Sequence, residues 1–160
     1  MGKNIEIERK WLVDINKLPI NIKKYKCLKI EQGYLIKKPA VRIRKENNKY
    51  FLTVKIDKKN SSIVRNEYEV NISKNDYEYL IKQCRSNVIK KNRYLIPYNN
   101  NLIQLDVFLD MYAGLVYAEV EFSNVNEAKK FKKPEWFGKE LTNDKKSTNS
   151  SLAFKNIKKV

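Results

Sequence analysis

The sequence contains no histidine. That removes imidazole acid–base catalysis, histidine–cysteine nucleophile pairs and every histidine-containing zinc site. Cysteine is almost as scarce: Cys27 and Cys84 are the only two. Their spacing fits neither a zinc nor a redox motif, so both are expected as reduced thiols. No apolar run reaches the roughly 18 residues of a membrane-spanning helix, and the N-terminus carries no apolar leader. A cytoplasmic protein with no membrane partner is expected. Linkers, repeats and low-complexity tracts are also missing. The 160 residues make one domain, spanning 1–160, large enough for its own core.

What is plentiful is lysine. The net charge is +16, with 28 Lys, 6 Arg, 19 Asn and 16 Ile, a bias that an AT-rich genome produces by itself. The pairs Lys23–Lys24, Lys58–Lys59, Lys132–Lys133 and Lys158–Lys159 read as solvated faces and loop tips. The charge attracts polyanions in general and is no specific sign of nucleic acid.

Short alternating segments separated by turn signals predict strands near 3–12, 27–38, 40–47, 50–57, 62–71, 88–97, 102–110 and 115–122. Asn47-Asn48, Asn60-Ser61, Asn99 to Asn101 and Ala113-Gly114 are the expected turns. Ser73, with Asp76 three residues on, has the shape of a capping box and opens a helix over 74–86. A second helix is expected over 125–132, ending before Pro134, and a third from Ser147 to Ile157. The fold class is α+β and strand-dominated: an eight-stranded antiparallel β-barrel, closed or nearly so, with a few peripheral helices.

In a strand, alternate side chains share a face. One parity collects Glu6, Glu8 and Lys10, then Arg42 and Arg44, Lys55, Arg65, Glu67 and Glu69, Lys91 and Arg93, Asp106, Glu119 and Glu121. The other parity is mostly apolar, including Ile5, Ile7, Val41, Ile43, Leu52 and Val54. A merely solvated face carries mixed Lys, Glu, Thr and Ser, but here Glu-x-Glu recurs three times and Thr and Ser are scarce. Four of the six arginines fall on this face, and their rigid forks match phosphate oxygens as lysine does not. Like charges about 7 Å apart repel by roughly 2 kcal/mol at an effective dielectric near 20. Acids grouped with acids therefore call for a cation, and bases grouped with bases for an anion. Carboxylates without histidine suit Mg²⁺ or Mn²⁺, and clustered Arg and Lys suit a polyphosphate.

Nine segments in order carry a resemblance: "IEIERKWL", "EQGYL", "VRIR", "LTVK", "NEYEV", "KNRYLI", "LDVF", "AEVEF" and "GKELT", with "NSSLA" beyond them. The chain resembles the CYTH-type triphosphate tunnel metalloenzymes, a group of inorganic triphosphatases, thiamine triphosphatases and class IV adenylyl cyclases. The resemblance implies a barrel whose lumen is a charged tunnel. By motif position it implies one or two Mg²⁺ or Mn²⁺ ions at Glu6, Glu8, Glu119 and Glu121, supported by Asp106. Lys10, Arg42, Arg44, Lys55, Arg65, Lys91 and Arg93 would contact phosphate oxygens. Lys139 of "GKELT" also matches a family position. Glu67 and Glu69 would hold or orient the attacking water. Tyr34 has two readings, a proton-transfer partner of Lys91 or plain strand packing. The 147–157 segment would plug or line one tunnel end. The compact chain and its "NSSLA" tail resemble short bacterial members that hydrolyse inorganic triphosphate, as a monomer or homodimer. Alternatives are a class IV-type adenylyl cyclase, a thiamine or nucleoside triphosphatase, and a non-enzymatic polyphosphate- or RNA-binding barrel.

Overall fold

The computed structural model describes residues 2–157, so the Lys158–Lys159 pair lies outside it. Among the described residues there are nine strands: β1 (Gly2–Val13), β2 (Lys26–Ile36), β3 (Ala40–Glu46), β4 (Lys49–Asp57), β5 (Val64–Asn71), β6 (Ile89–Tyr98), β7 (Asn101–Phe108), β8 (Val116–Glu121) and β9 (Phe137–Glu140). Three helices join them: α1 (Lys74–Gln83), α2 (Val125–Lys130) and α3 (Asn149–Phe154). Every pairing is antiparallel, in the order β5-β4-β3-β2-β6-β7-β8-β1, and a β5–β1 pairing closes the ring.

β1 makes closure possible because it is long enough to serve three neighbours. Residues Gly2–Ile7 pair with β5, and Glu8–Leu12 pair with β8 on the other edge. Beyond the end of β5, Trp11 and Val13 pair with β9. Closure gives each of these eight strands a partner on both sides, and β9 covers the part of β1 that extends beyond β5.

The hairpins turn where expected. Asn47, Asn60 and Asn99 hold φ of 52°, 69° and 52°, and Gly114 holds 98°. Asparagine and glycine tolerate this left-handed region best. α1 starts at the predicted cap, with the Ser73 side chain accepting from Asp76 N–H.

Several ends fall two or three residues short of expectation, with α1 stopping at Gln83, α2 at Lys130 and β2 at Ile36, and three elements differ more. β9 was not predicted, since its four residues show no alternation and pair only because β1 offers an open edge. The segment expected as strand to 110 stops at Phe108, and Asp110, at φ 54°, enters a short 3-10 turn. The third helix splits into a 3-10 turn at Lys145–Ser147 and α3, whose N-cap Thr148 accepts from Ser151 N–H.

The main apolar core lies outside the barrel wall. Ile7, Trp11, Ile103, Leu105, Ala118 and Val120 project outward from β1, β7 and β8 and pack under α2 and β9. Trp11 is fully buried, with its ring 5.5 Å from that of Phe131 and 4.9 Å from that of Phe137. Packing outside the wall holds the cylinder and frees the inside for polar groups. Among the described residues no helix is long and apolar enough to cross a membrane.

Candidate active site in the barrel lumen

The inward parity of the strands lines one cavity of about 260 Å³. Its wall carries seven carboxylates (Glu6, Glu8, Glu46, Glu67, Glu69, Glu119, Glu121) and six cations (Lys10, Arg42, Arg44, Lys55, Arg65, Arg93). Most of the face predicted from alternation is thus assembled in space. Glu46, Phe51 and Gln104 were missed, although each shares the parity of a predicted neighbour: Arg44, Lys55 and Asp106.

On the acidic side, Glu6, Glu8 and Glu121 bring ligand oxygens within 4.8 Å of one another. Glu8 and Glu121 are cross-strand partners. Burial and the Glu119 and Glu6 carboxylates push Glu8 up to about 8. Partial desolvation and Glu6 also raise Glu121, which keeps solvent access. Burial alone would raise Glu6 as well, but Lys55 and Arg65 hold it down to about 2. Lys55 Nζ lies 2.9 Å from Glu6 Oε1 and 3.4 Å from Glu67.

Glu119, expected in the metal set, is not part of this cluster. Arg93 donates to its Oε2 at 3.3 Å, and Lys10 Nζ stands 3.6 Å from its Oε1. Against the effect of burial, Lys10 and Arg93 lower Glu119 well below the usual range. Asp106 sits deeper still, fully buried behind the lining. Arg93 forks onto it at 2.7 and 2.8 Å, and Lys91 donates at 2.6 Å. Here too burial opposes ionisation and the two cations overcome it.

On the basic side, Arg44 places both Nε and Nη2 on Gln32 Oε1, at 2.9 and 2.8 Å. Gln32 in turn donates to the Tyr34 hydroxyl at 3.2 Å. Burial and the neighbouring Arg42 and Arg93 lower Arg44 to about 10. Arg42 reaches Glu69 only at 3.8 Å, and its buried Nε has no partner. Glu69 accepts from the Thr53 hydroxyl at 3.0 Å.

One end of the cavity is lined by Thr148, Asn149 and Ser150 at the start of α3. Two lysines hold this segment: Lys10 Nζ donates to Ser147 O at 3.3 Å, and Lys91 Nζ to Asn149 Oδ1 at 3.2 Å. Lys91 is wholly buried and does not reach the cavity surface, and burial draws its ammonium down to about 7. Tyr34 does line the cavity. Lys139 is exposed on β9 and is not part of the lining.

The sequence profile of the CYTH domain matches residues 4–153. The chain belongs to the CYTH family. This CYTH chain is 36% identical to an inorganic triphosphatase of Acetivibrio thermocellus, over 99% of each chain. It is 33% identical to an inorganic triphosphatase of Nitrosomonas europaea, covering 92% of this chain and 96% of that one. A solved inorganic triphosphatase structure superposes with a TM-score of 0.67 at 33% identity, over 93% of this chain and 94% of that one.

The CYTH lumen suits a hard cation on its own evidence. Buried Glu6 Oε2 accepts no hydrogen bond and has only a 3.6 Å ion pair with Arg65 among the described residues. The Glu6, Glu8 and Glu121 cluster offers oxygen donors only, the ligand type of Mg²⁺ and Mn²⁺. Seven carboxylates against six cations leave a formally ionised lining slightly negative, so a polyanion would need added positive charge.

Proposed function

We propose that this chain hydrolyses inorganic triphosphate to pyrophosphate and phosphate in its tunnel, with Mg²⁺ or Mn²⁺ held by Glu6, Glu8 and Glu121. The carrying observation is that this carboxylate cluster shares one cavity with six cations. The inorganic triphosphatase relatives support the same reading. A bound divalent cation polarises phosphoryl oxygens and offsets the charge of the chain.

The protein's own part is positioning and charge stabilisation, which phosphoryl transfer mainly requires. Arg42, whose Nε is unpartnered, offers a planar fork to phosphate oxygens, and Arg44 keeps its Nη1 beyond the two nitrogens held by Gln32. Lys10, Lys55, Arg65 and Arg93 add contacts around them. Glu119 and Asp106 orient the bases, since Arg93 is fixed between them. Lys91 acts from behind, steadying Asp106 and Asn149. Glu67 and Glu69, on the β5 wall, accept hydrogen bonds from the attacking water. Tyr34 receives its hydrogen bond from Gln32, which leaves its own proton free to donate to a phosphate oxygen. Lys139, away from the lumen, has no contact role in this reading. The enzyme acts on a small anion in the cytoplasm and needs neither nucleic acid nor membrane.

The cavity volume favours inorganic triphosphate over larger triphosphates. About 260 Å³ lies below the roughly 300–1,000 Å³ of sites for drug-sized ligands. Phosphate release from tripolyphosphate, ATP and thiamine triphosphate, with Mg²⁺, Mn²⁺ or EDTA, tests the proposal. Tripolyphosphate should turn over fastest, and EDTA should abolish release. Absence of turnover with either metal would sink the enzyme reading. Conversion of ATP to a cyclic nucleotide, with tripolyphosphate left intact, would overturn the substrate assignment.

A further inference from the structure

Gln104 stands in the lumen among charges, on β7 with the parity of Asp106. Its Oε1 is buried and accepts no hydrogen bond. Its in-register neighbours explain why. Leu95 on β6 is apolar, and Glu119 on β8 presents a carboxylate, itself an acceptor. Glu119 Oε1 and Glu6 Oε2 also accept no hydrogen bond, but each faces a cation at 3.6 Å, Lys10 Nζ and Arg65 Nε respectively. Gln104 lines the same cavity as the cluster of Glu6, Glu8 and Glu121, and its pairing with Glu119 makes it the diagonal cross-strand neighbour of Glu121. A buried acceptor without a donor, as Gln104 Oε1 is, is costly, and a cation in the cavity would satisfy it.

We propose that Gln104 supplies a neutral oxygen to the divalent cation held by the Glu6, Glu8 and Glu121 cluster. The inference rests on the cation-dependent reading of the tunnel given above. Its chemistry explains the residue type. Three carboxylates already exceed the charge of one divalent ion, and a fourth would add repulsion. Mg²⁺ and Mn²⁺ seek about six oxygen ligands, and an amide carbonyl provides a lone pair without adding charge. On this reading Gln104 completes the ligand set, and the bound state removes its orphaned oxygen.

Titration of metal-stripped, substrate-free protein with Mn²⁺, followed by the electron paramagnetic resonance of free Mn²⁺, tests the assignment. Gln104→Met keeps the length of the side chain and deletes its oxygen, and should weaken Mn²⁺ binding about tenfold. Gln104→Glu keeps an oxygen and should bind Mn²⁺ at least as tightly as the wild type. Equal affinity in all three proteins overturns the proposal. Equal weakening in both variants overturns it too, because Gln104 would then act through its N–H on Glu119. A wild type that fails to bind Mn²⁺ removes the cation-dependent reading itself, and this inference with it. Circular dichroism and metal-free melting separate these results from misfolding, and Gln104→Leu repeats the test if methionine disturbs packing.

Discussion

Glu8 on β1 and Glu121 on β8 stand directly opposite one another, and Glu6 completes an oxygen cluster with them. Like charges at cross-strand positions weaken a sheet. The pair is tolerable when a proton or a cation lies between the carboxylates, and this single juxtaposition ties the stability of the barrel to its chemistry.

Cation binding should therefore be visible as stability. At a concentration near 100 Kd, Mn²⁺ would add about 2.7 kcal/mol. For a chain of this length that corresponds to a rise in Tm of roughly 5–10 °C. Differential scanning calorimetry should show the rise in the wild type and its loss in Glu8→Gln and Glu121→Gln. These variants should also lose metal-dependent turnover. An unaltered Mn²⁺ response in both would remove the cluster from the site.

The metal-free protein should have a distinctive pH profile. Glu8 is raised from 4.5 to about 8, so between those values the unfolded chain ionises it while the folded protein keeps it protonated. Stability falls as pH rises through this window. Glu6 behaves oppositely: held at about 2, it stabilises above 4.5 and loses that contribution as pH falls toward 2. Melting in EDTA should be highest near pH 5, by this reasoning about the two glutamates. Glu8→Gln should flatten the decline toward pH 8, by on the order of 2–4 kcal/mol after allowing for solvent access. A decline of the same slope in Glu8→Gln would assign it to other groups.

Asp106 should matter more for folding than its place behind the lining suggests. Asp106→Ala leaves the buried Lys91 and Arg93 without their shared partner. Breaking a buried pair in this way costs about 3–5 kcal/mol. Urea denaturation should show that loss, and adding Lys91→Met should restore part of it. A single variant within about 0.5 kcal/mol of wild type contradicts the network as described.

Arg42 should separate binding from stability. Its Nε has no protein partner, its contact with Glu69 is long and its one hydrogen bond, to Thr53 Oγ1, is stretched to 3.4 Å, so Arg42→Ala should change Tm little. The same variant should raise KM for tripolyphosphate about tenfold or more, the loss of one charge-assisted hydrogen-bond pair. Arg42→Lys should fall between, because lysine keeps the charge without the fork. Unchanged KM would remove Arg42 from the substrate contacts.

Alternation and turn chemistry made the eight barrel strands, their hairpins and the charged parity readable in the chain, because both are local properties of the backbone. "IEIERK" already specifies that Glu6, Glu8 and Lys10 share a face. Local rules do not reach β9, which exists only because β1 outruns β5 and leaves an edge to pair. Parity does put Gln104 and Phe51 on the inward face, but as uncharged residues they matter there only once the cylinder closes.

Composition and parity by themselves determined that acids and bases would meet inside a strand-built chain, and which residue types could take part. Tertiary structure alone decided how they divide. Closure set Glu121 against Glu8 but turned Glu119 toward Lys10 and Arg93, and it buried Lys91 and Asp106 beneath the cavity lining. The reason is physical: alternation fixes which side a residue faces, whereas partners follow from register and curvature, and those arise from pairing between strands far apart in the chain.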